Sequence, residues 1–213
     1  MSGRTNVRAY LLLRHLVRAA FAILCQCQVT GLENVPPRGP YLLIANHLSA
    51  FDPPLIMAVI PAPVMVFAAS THRHDFILGE LMDQIGAIWV QRGEVDRQAL
   101  RTALQVLETG NVLGMAPEGT RSKTGALQQG KVGVAYLATR ANVPLLPMAI
   151  TGTEAVARKL KRLQRPKLTV TIGPLFRLPE NERASTAELE RYTEQIMHTL
   201  AAMLPQEYRG VYQ

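Results

Sequence analysis

His47 and Asp52 stand five positions apart in the stretch Asn46-His47-Leu48-Ser49-Ala50-Phe51-Asp52-Pro53. An imidazole takes a proton from a hydroxyl near neutral pH when a neighbour fixes its tautomer and stabilises the imidazolium. A carboxylate on the other ring nitrogen does both, as in the serine hydrolase triad, here with no protein nucleophile needed. Asp52 before Pro53 also suits the start of a helix, where its side chain would cap the first amides and leave His47 a plain loop residue. The two readings differ in what the carboxylate faces.

The flanking pattern says how such a pair would be held. Residues 41–45 form an apolar run with the length of a buried strand, and residues 55–60 follow Pro53 and Pro54 as a helix with proline in its first turn. Further along, residues 64–67 and 86–91 predict strands around a helix at 76–85. Residues 94–109 predict an amphipathic helix with Leu100, Ala103, Leu104 and Leu107 on one face and Gly110 just past its end. A strand at 112–116 opens into Pro117-Glu118-Gly119-Thr120-Arg121-Ser122, glycine allowing close backbone approach and arginine a charged partner. Gly130-Lys131-Val132-Gly133 starts a helix running to 141, its glycines suited to tight helix–sheet contact and its N-terminus to an anion. The strand at 143–150 carries Pro144 and Pro147, which argue against a fully paired central place, at least at its ends. Residues 168–172 alternate as a strand, and Ser185 with Glu188 forms a capping box before a last helix bearing Tyr192, Ile196 and Leu200. Strands alternating with helices predict an α/β single domain with a largely parallel central sheet flanked by helices. Loops after the carboxyl ends of such strands meet on one rim, which would carry His47, Asp52, Arg92 and Glu118 to Arg121.

Residues 5–29 read as one amphipathic helix. Arg4, Arg8, Arg14, His15 and Arg18 fall within roughly 120° of its circumference at 100° per residue, and the opposite face is apolar. The charge-free run from Ala19 meets Gln26 and Gln28, short of the ~20 apolar residues of a span. Arg14 and Arg18 interrupt the apolar region and no cleavage site of small residues follows, which argues against a signal peptide. The pattern suits a helix lying in a membrane interface. The division expected is a membrane-associating helix over 1–30 and a catalytic domain over 31–213.

Composition narrows the partners. The 213 residues are 48% hydrophobic and 18% charged, with a net charge of +7 that favours an anionic partner. Arg158, Lys159, Lys161, Arg162, Arg165 and Lys167 form a run of cations without an acid, suited to anionic lipid. Zinc-finger spacing, an RNA-recognition motif and basic residues interleaved with stacking aromatics are all lacking, so nucleic acid is not expected. No metal is expected either, since His72 and His74 have no further ligand at metal spacing. Cys25 and Cys27 read as reduced thiols.

Four blocks in order resemble the 1-acylglycerol-3-phosphate acyltransferase family of glycerolipid enzymes. Asn46, His47, Ser49 and Asp52 match N-H-x-S-x-x-D, and Gly86-Ala87-Ile88-Trp89-Val90-Gln91-Arg92 matches G-x-I-F-V-x-R with tryptophan for phenylalanine. Pro117 to Ser122 match F-P-E-G-T-R-S with Ala116 for the aromatic, and Val143-Pro144-Leu145-Leu146-Pro147-Met148 matches V-P-x-x-P-V. The resemblance implies a glycerol-3-phosphate acyltransferase-like fold and direct acyl transfer from acyl-CoA or acyl carrier protein to a lysolipid hydroxyl, with no bound cofactor. It implies His47 as general base, Asp52 as its orienting carboxylate, and substrate contacts from Asn46, Ser49, Arg92, Glu118, Gly119, Thr120, Arg121 and Lys131. Arg92 and Arg121 would hold the acceptor phosphate, with Lys131 in a lesser part. Glu118 would fix Arg121 or a loop amide, or meet an acceptor hydroxyl. Oxyanion donors would come from backbone amides near Glu118 to Thr120. A peripheral or monotopic place on the cytoplasmic face of the cell membrane follows, with anionic lipids as partner.

One departure bears on the acceptor. The lysine of a K-x-E-L block before the second motif is absent, and Ser70-Thr71-His72-Arg73-His74-Asp75 stands there, with Arg73 its cation. A lyso-ornithine lipid or another lysophospholipid is then the alternative to lysophosphatidic acid. A non-catalytic membrane-binding relative would have lost His47 or Asp52, and both are present. A serine hydrolase would carry a G-x-S-x-G elbow, which is missing.

Overall fold

Period-two alternation along the strands builds two cores, one on each face of the sheet. In β2 (Tyr41–Ala45) Leu42 and Ile44 join one cluster, while Tyr41, Leu43 and Ala45 join the other, all of them buried. The computed structural model describes residues 7–72, 78–84, 86–90, 96–181 and 183–213. Their elements run α1 (Val7–Leu24), β1 (Gln26–Thr30), β2, α2 (Asp52–Val59), β3 (Val64–Ala69), α3 (Leu78–Gln84) and β4 (Ile88–Val90). Then come α4 (Arg97–Glu108), β5 (Val112–Met115), α5 (Gly133–Arg140), β6 (Leu145–Thr151), α6 (Val156–Leu160), β7 (Lys167–Ile172) and α7 (Thr186–Ala202).

Among the described residues the strands form one seven-stranded sheet in the order β1-β7-β6-β2-β5-β3-β4. Every ladder is parallel except β6 with β7. One face is covered by α4, α5 and α7 through Ala103, Leu107, Leu137, Ile196 and Leu200. The other is covered by α2 through Leu55 and Ile56, by Val156 of α6 and by Phe21 of α1. At β2 the chain passes through the middle of the sheet, between β5 and β6, so three neighbouring parallel strands point their carboxyl ends the same way.

The predicted capping box is formed: Ser185 Oγ accepts the Glu188 N–H and the Glu188 carboxylate accepts the Ser185 N–H. Asp96 caps α4 by accepting the Ala99 N–H at 2.9 Å, and Gly110 takes the left-handed φ of 82° just past its end.

Three expectations are corrected. The N-terminal helix ends at Leu24 rather than running to 29, because Gln26–Thr30 pairs in parallel with β7 as an edge strand. The segment assigned to that helix through residue 30 therefore contributes a strand to the sheet. The proline-bearing strand is central, since β6 pairs with β2 on one side and β7 on the other. Pro147 is tolerated because it sits where the β7 ladder ends: its carbonyl accepts the Gly173 N–H at 2.9 Å, and its missing N–H removes only the last rung. Gly130 serves the close approach of a loop to α7 rather than helix–sheet contact, for a Cβ there would lie 2.6 Å from Met197 Cγ. The helix that follows begins only at Gly133.

The cationic face of α1 is corrected at one position. Arg14 turns inward and its Nε donates to the Ile60 carbonyl at the end of α2 at 3.1 Å. Tyr10 is fully buried and its Oη accepts the Val64 N–H at 3.1 Å. Tyr10, Leu13 and Val17 thus pack on Met57, while Leu12, Leu16 and Ile23 remain more than 60% exposed. Only part of the apolar circumference is used by the fold. Among the described residues no helix is long and apolar enough to cross a membrane.

Candidate active site

Loops leaving β2, β5 and β6 build the site. The β2 loop tightens through two local bonds: Ser49 Oγ accepts the Phe51 N–H at 3.1 Å, and the Ser49 carbonyl accepts the Asp52 N–H at 3.3 Å. That turn swings the Asp52 carboxylate back over its own loop. Oδ2 receives the Leu48 N–H at 2.7 Å, the Ser49 N–H at 2.8 Å and His47 Nδ1 at 2.7 Å. Oδ1 receives the hydroxyl of buried Thr153, carried in from the end of β6. Helix α2 therefore starts without a side-chain cap, and the capping reading of Asp52 falls.

The geometry fixes the imidazole. A carboxylate oxygen can only accept, so Nδ1 is the donor, and the tautomer this contact selects for a neutral ring leaves the Nε2 lone pair free. Asp52 is 2% exposed and the His47 side chain 24%, which leaves the histidine reachable and its partner dry. The His47 backbone is clamped on both sides by the β5 loop. Its N–H donates to Glu118 Oε1 at 3.2 Å, and its carbonyl accepts the Ser122 N–H at 2.7 Å.

Glu118 is the buried tie between loops. Its other oxygen accepts the Gln128 N–H at 2.9 Å, closing the 118–128 excursion. Of the parts foreseen for Glu118, holding loop amides is the one it occupies. Burial pushes its carboxyl above the ordinary value of 4.5, against the amide donors of Gln128 and His47, which lower it. A carboxyl with a raised folded value contributes stability below 4.5 that is lost as pH rises through the raised value. Urea midpoints of the wild type should therefore fall relative to those of Glu118→Gln as pH rises above 4.5. The expected loss is about 1.4 kcal/mol per unit of elevation. A constant gap between the two proteins would sink this account.

His47 and Asp52 line a cavity of about 1280 Å³. Apolar walls come from Ile56, Val66, Leu100, Met115 and Tyr136, and Gly119, Thr120 and Lys131 line the same space. Gly114 of β5 lies in this wall and packs tightly on β3, where a Cβ would meet Val64 Cγ1 at 2.8 Å. Lys131 reaches in across Gly119, whose φ of 67° suits glycine and whose hypothetical Cβ would lie 3.2 Å from Lys131 Nζ.

Asn46 also lines the cavity, while the other expected contacts are engaged in the fold or lie off its wall. Asn46 is buried, with Nδ2 donating to the Ile150 carbonyl and Oδ1 accepting the Ile150 N–H, both at 2.8 Å. It extends the β2–β6 ladder by one side chain, and both ends of its carboxamide are engaged there. Ser49 is engaged in its turn and is not part of the cavity wall. Arg121 is exposed and also lies off that wall. The Gly119 N–H donates to the Ala116 carbonyl at 3.0 Å, which removes it from the possible oxyanion donors. Arg92, Arg73, His74 and Asp75 lie outside the described residues.

Sequence reasoning missed Thr153 and the part that α7 takes in the cavity wall. Thr153 follows Gly152 at the end of a strand that joins the same rim, a position that could have drawn notice. Thr193 and Glu194 line the cavity from a helix read only as core. The C-terminal turn adds Tyr212, whose Oη accepts the Gly130 N–H at 3.0 Å and so steadies the stretch before Lys131.

Comparison with known proteins gives a consistent picture. Residues 26–151 match the family model described as Acyltransferase. The 1-acyl-sn-glycerol-3-phosphate acyltransferase of Limnanthes douglasii is 32% identical over 135 residues, covering 62% of this chain and 47% of that protein. The enzyme of the same name from Borreliella burgdorferi is 27% identical over 127 residues, covering 59% and 51%. The chain spans about half the length of these curated relatives. The crystal structure of the 1-acyl-sn-glycerophosphate acyltransferase PlsC from Thermotoga maritima superposes with a TM-score of 0.68 at 26% identity, covering 88% of this chain and 76% of that one.

Proposed function

Since the chain belongs to the acyltransferase family, we propose that it moves a fatty acyl chain from acyl-CoA or acyl carrier protein to a lysolipid hydroxyl. The acceptor in this reading is 1-acylglycerol-3-phosphate and the product phosphatidic acid. The observation that carries it is the 2.7 Å contact of His47 Nδ1 with Asp52 Oδ2 on the wall of a large apolar cavity. His47 Nε2 takes the acceptor hydroxyl proton as the oxygen attacks the thioester carbonyl. Asp52 stabilises the imidazolium. The tetrahedral intermediate expels the thiolate, the C–S bond breaking as the ester C–O bond remains, and the imidazolium returns the proton to sulfur. A volume above the ~300–1,000 Å³ usual for small-molecule pockets leaves room for both substrates at once.

Lys131 is the cation that supports phosphate recognition in this reading, in place of the missing upstream lysine. Lys131→Met is expected to raise KM for lysophosphatidic acid about 10–100-fold with little change in kcat, the worth of one hydrogen bond to a charged group. An unchanged KM would remove Lys131 from the acceptor site.

The protein acts as a peripheral or monotopic enzyme on the cytoplasmic face of the membrane. Its exposed Leu12, Leu16 and Ile23 would lie among lipid tails, with Arg8, His15 and Arg18 beside the phosphates of anionic lipids. The deciding experiment is labelled acyl transfer to a panel of lysolipids, from acyl-CoA and from acyl carrier protein. Selective acylation of lysophosphatidic acid supports the whole reading. Acylation of a lyso-ornithine lipid alone keeps the reaction and overturns the acceptor. No transfer from either donor overturns the reaction itself.

A further inference from the structure

A leucine stands at the tip of the cationic run in a conformation that favours glycine. Leu163 has φ of 54° and is 97% exposed. It ends α6 in a Schellman turn: the Gln164 N–H donates to the Lys159 carbonyl at 3.0 Å and the Leu163 N–H to the Leu160 carbonyl at 2.9 Å. Glycine is the usual residue at that left-handed position, because a Cβ there is strained. The chain thus carries both backbone strain and a fully exposed apolar side chain at one point. Neither is explained by packing, since Leu163 makes almost none.

Its surroundings identify the partner. Arg158, Lys161 and Arg162 beside it are exposed and no acid interrupts them. Arg165, counted with them in the sequence, has a different part: its guanidinium donates to the Ala22 and Cys25 carbonyls at 2.8 and 2.7 Å. That grip caps the end of α1 and ties the turn to the helix whose Ile23 is 71% exposed. An apolar tip ringed by cations and joined to a half-exposed amphipathic helix complements one surface, an anionic lipid bilayer.

We propose that the 158–165 turn is a second membrane-contacting element, with Leu163 inserting among acyl chains and the neighbouring cations meeting lipid phosphates. The inference rests on the peripheral reading above and adds to it an anchor that, with α1, sets how the protein sits on the bilayer.

The test is co-sedimentation with vesicles of equal parts phosphatidylcholine and phosphatidylglycerol, and with phosphatidylcholine alone. Leu163→Gly is expected to melt a few degrees higher, because the left-handed strain is relieved. It should nevertheless bind the anionic vesicles about tenfold more weakly, because the apolar side chain is gone. Lys161→Ser should lose about fivefold on anionic vesicles and nothing on neutral ones. Transfer to a water-soluble short-chain lysolipid should be unchanged in both. If Leu163→Gly binds like wild type while Leu16→Asp does not, the peripheral reading stands and this inference is overturned. Wild type that sediments with neither vesicle overturns the peripheral reading, and the turn with it.

Discussion

His47→Ala is expected to lower kcat for acyl transfer by about 10²–10⁴-fold, the usual worth of a positioned general base. Folding should be little affected, because the residue is held through its backbone. Glu118 and Ser122 bind its N–H and carbonyl, and alanine keeps both. The lost Nδ1 contact leaves Asp52 with the Leu48 and Ser49 amides and the Thr153 hydroxyl. Urea midpoints and vesicle binding should therefore follow wild type while transfer is lost. A variant that retains more than a tenth of wild-type turnover would remove His47 from the chemistry.

Asp52→Asn is expected to lower kcat by about 10²–10³-fold, less than the ~10⁴ of an asparagine that forces the wrong histidine tautomer. The difference comes from who else binds the carboxylate. Two amides and the imidazole share Oδ2, whereas Oδ1 meets only a hydroxyl. Asparagine can therefore put its oxygen where Oδ2 was and its NH₂ toward Thr153, whose hydroxyl can reverse and accept. His47 keeps its proton on Nδ1, and only the charge that stabilises the imidazolium is gone. Asp52→Ala should instead fail in folding as well as turnover. It strands the Leu48 and Ser49 amides in the loop before α2, at about 1–3 kcal/mol for each buried donor left unpaired. If asparagine and alanine proved equal in activity and stability, the oriented-asparagine argument would be wrong.

The parts of this site that the sequence made legible are the short-range ones. His47 and Asp52 lie in one loop, and a four-residue turn is enough to bring Oδ2 onto Nδ1, so the pairing is visible in the spacing. Buried strands and the capped helices α4 and α7 were legible for the same reason, since periodicity and caps act within a few residues. Even locally the competition could tip the other way. Asp52 had two uses, and the back-turned one prevailed because three donors gather on Oδ2 where a helix cap offers one or two.

What lay beyond spacing was decided by strand order. Asn46 meets Ile150 and Asp52 meets Thr153 across about a hundred residues, because β6 is laid beside β2. Lys131 lies across Gly119 on the cavity wall and Arg121 lies off it, whereas the resemblance implied Arg121 as the main phosphate contact and Lys131 as a lesser one. Pro147 looked unfit for a central strand until the end of the β7 ladder showed that its missing N–H costs one rung. The helical wheel of α1 likewise marked an apolar face without saying how much the fold would bury. Sequence alone determined the pairing of His47 with Asp52, the strand–helix alternation and the positive charge, all properties of neighbours along the chain. The tertiary structure decided which of the described cations lines the cavity, which carboxylate oxygen faces the histidine and which leucines stay in the open, because those depend on what the sheet brings together.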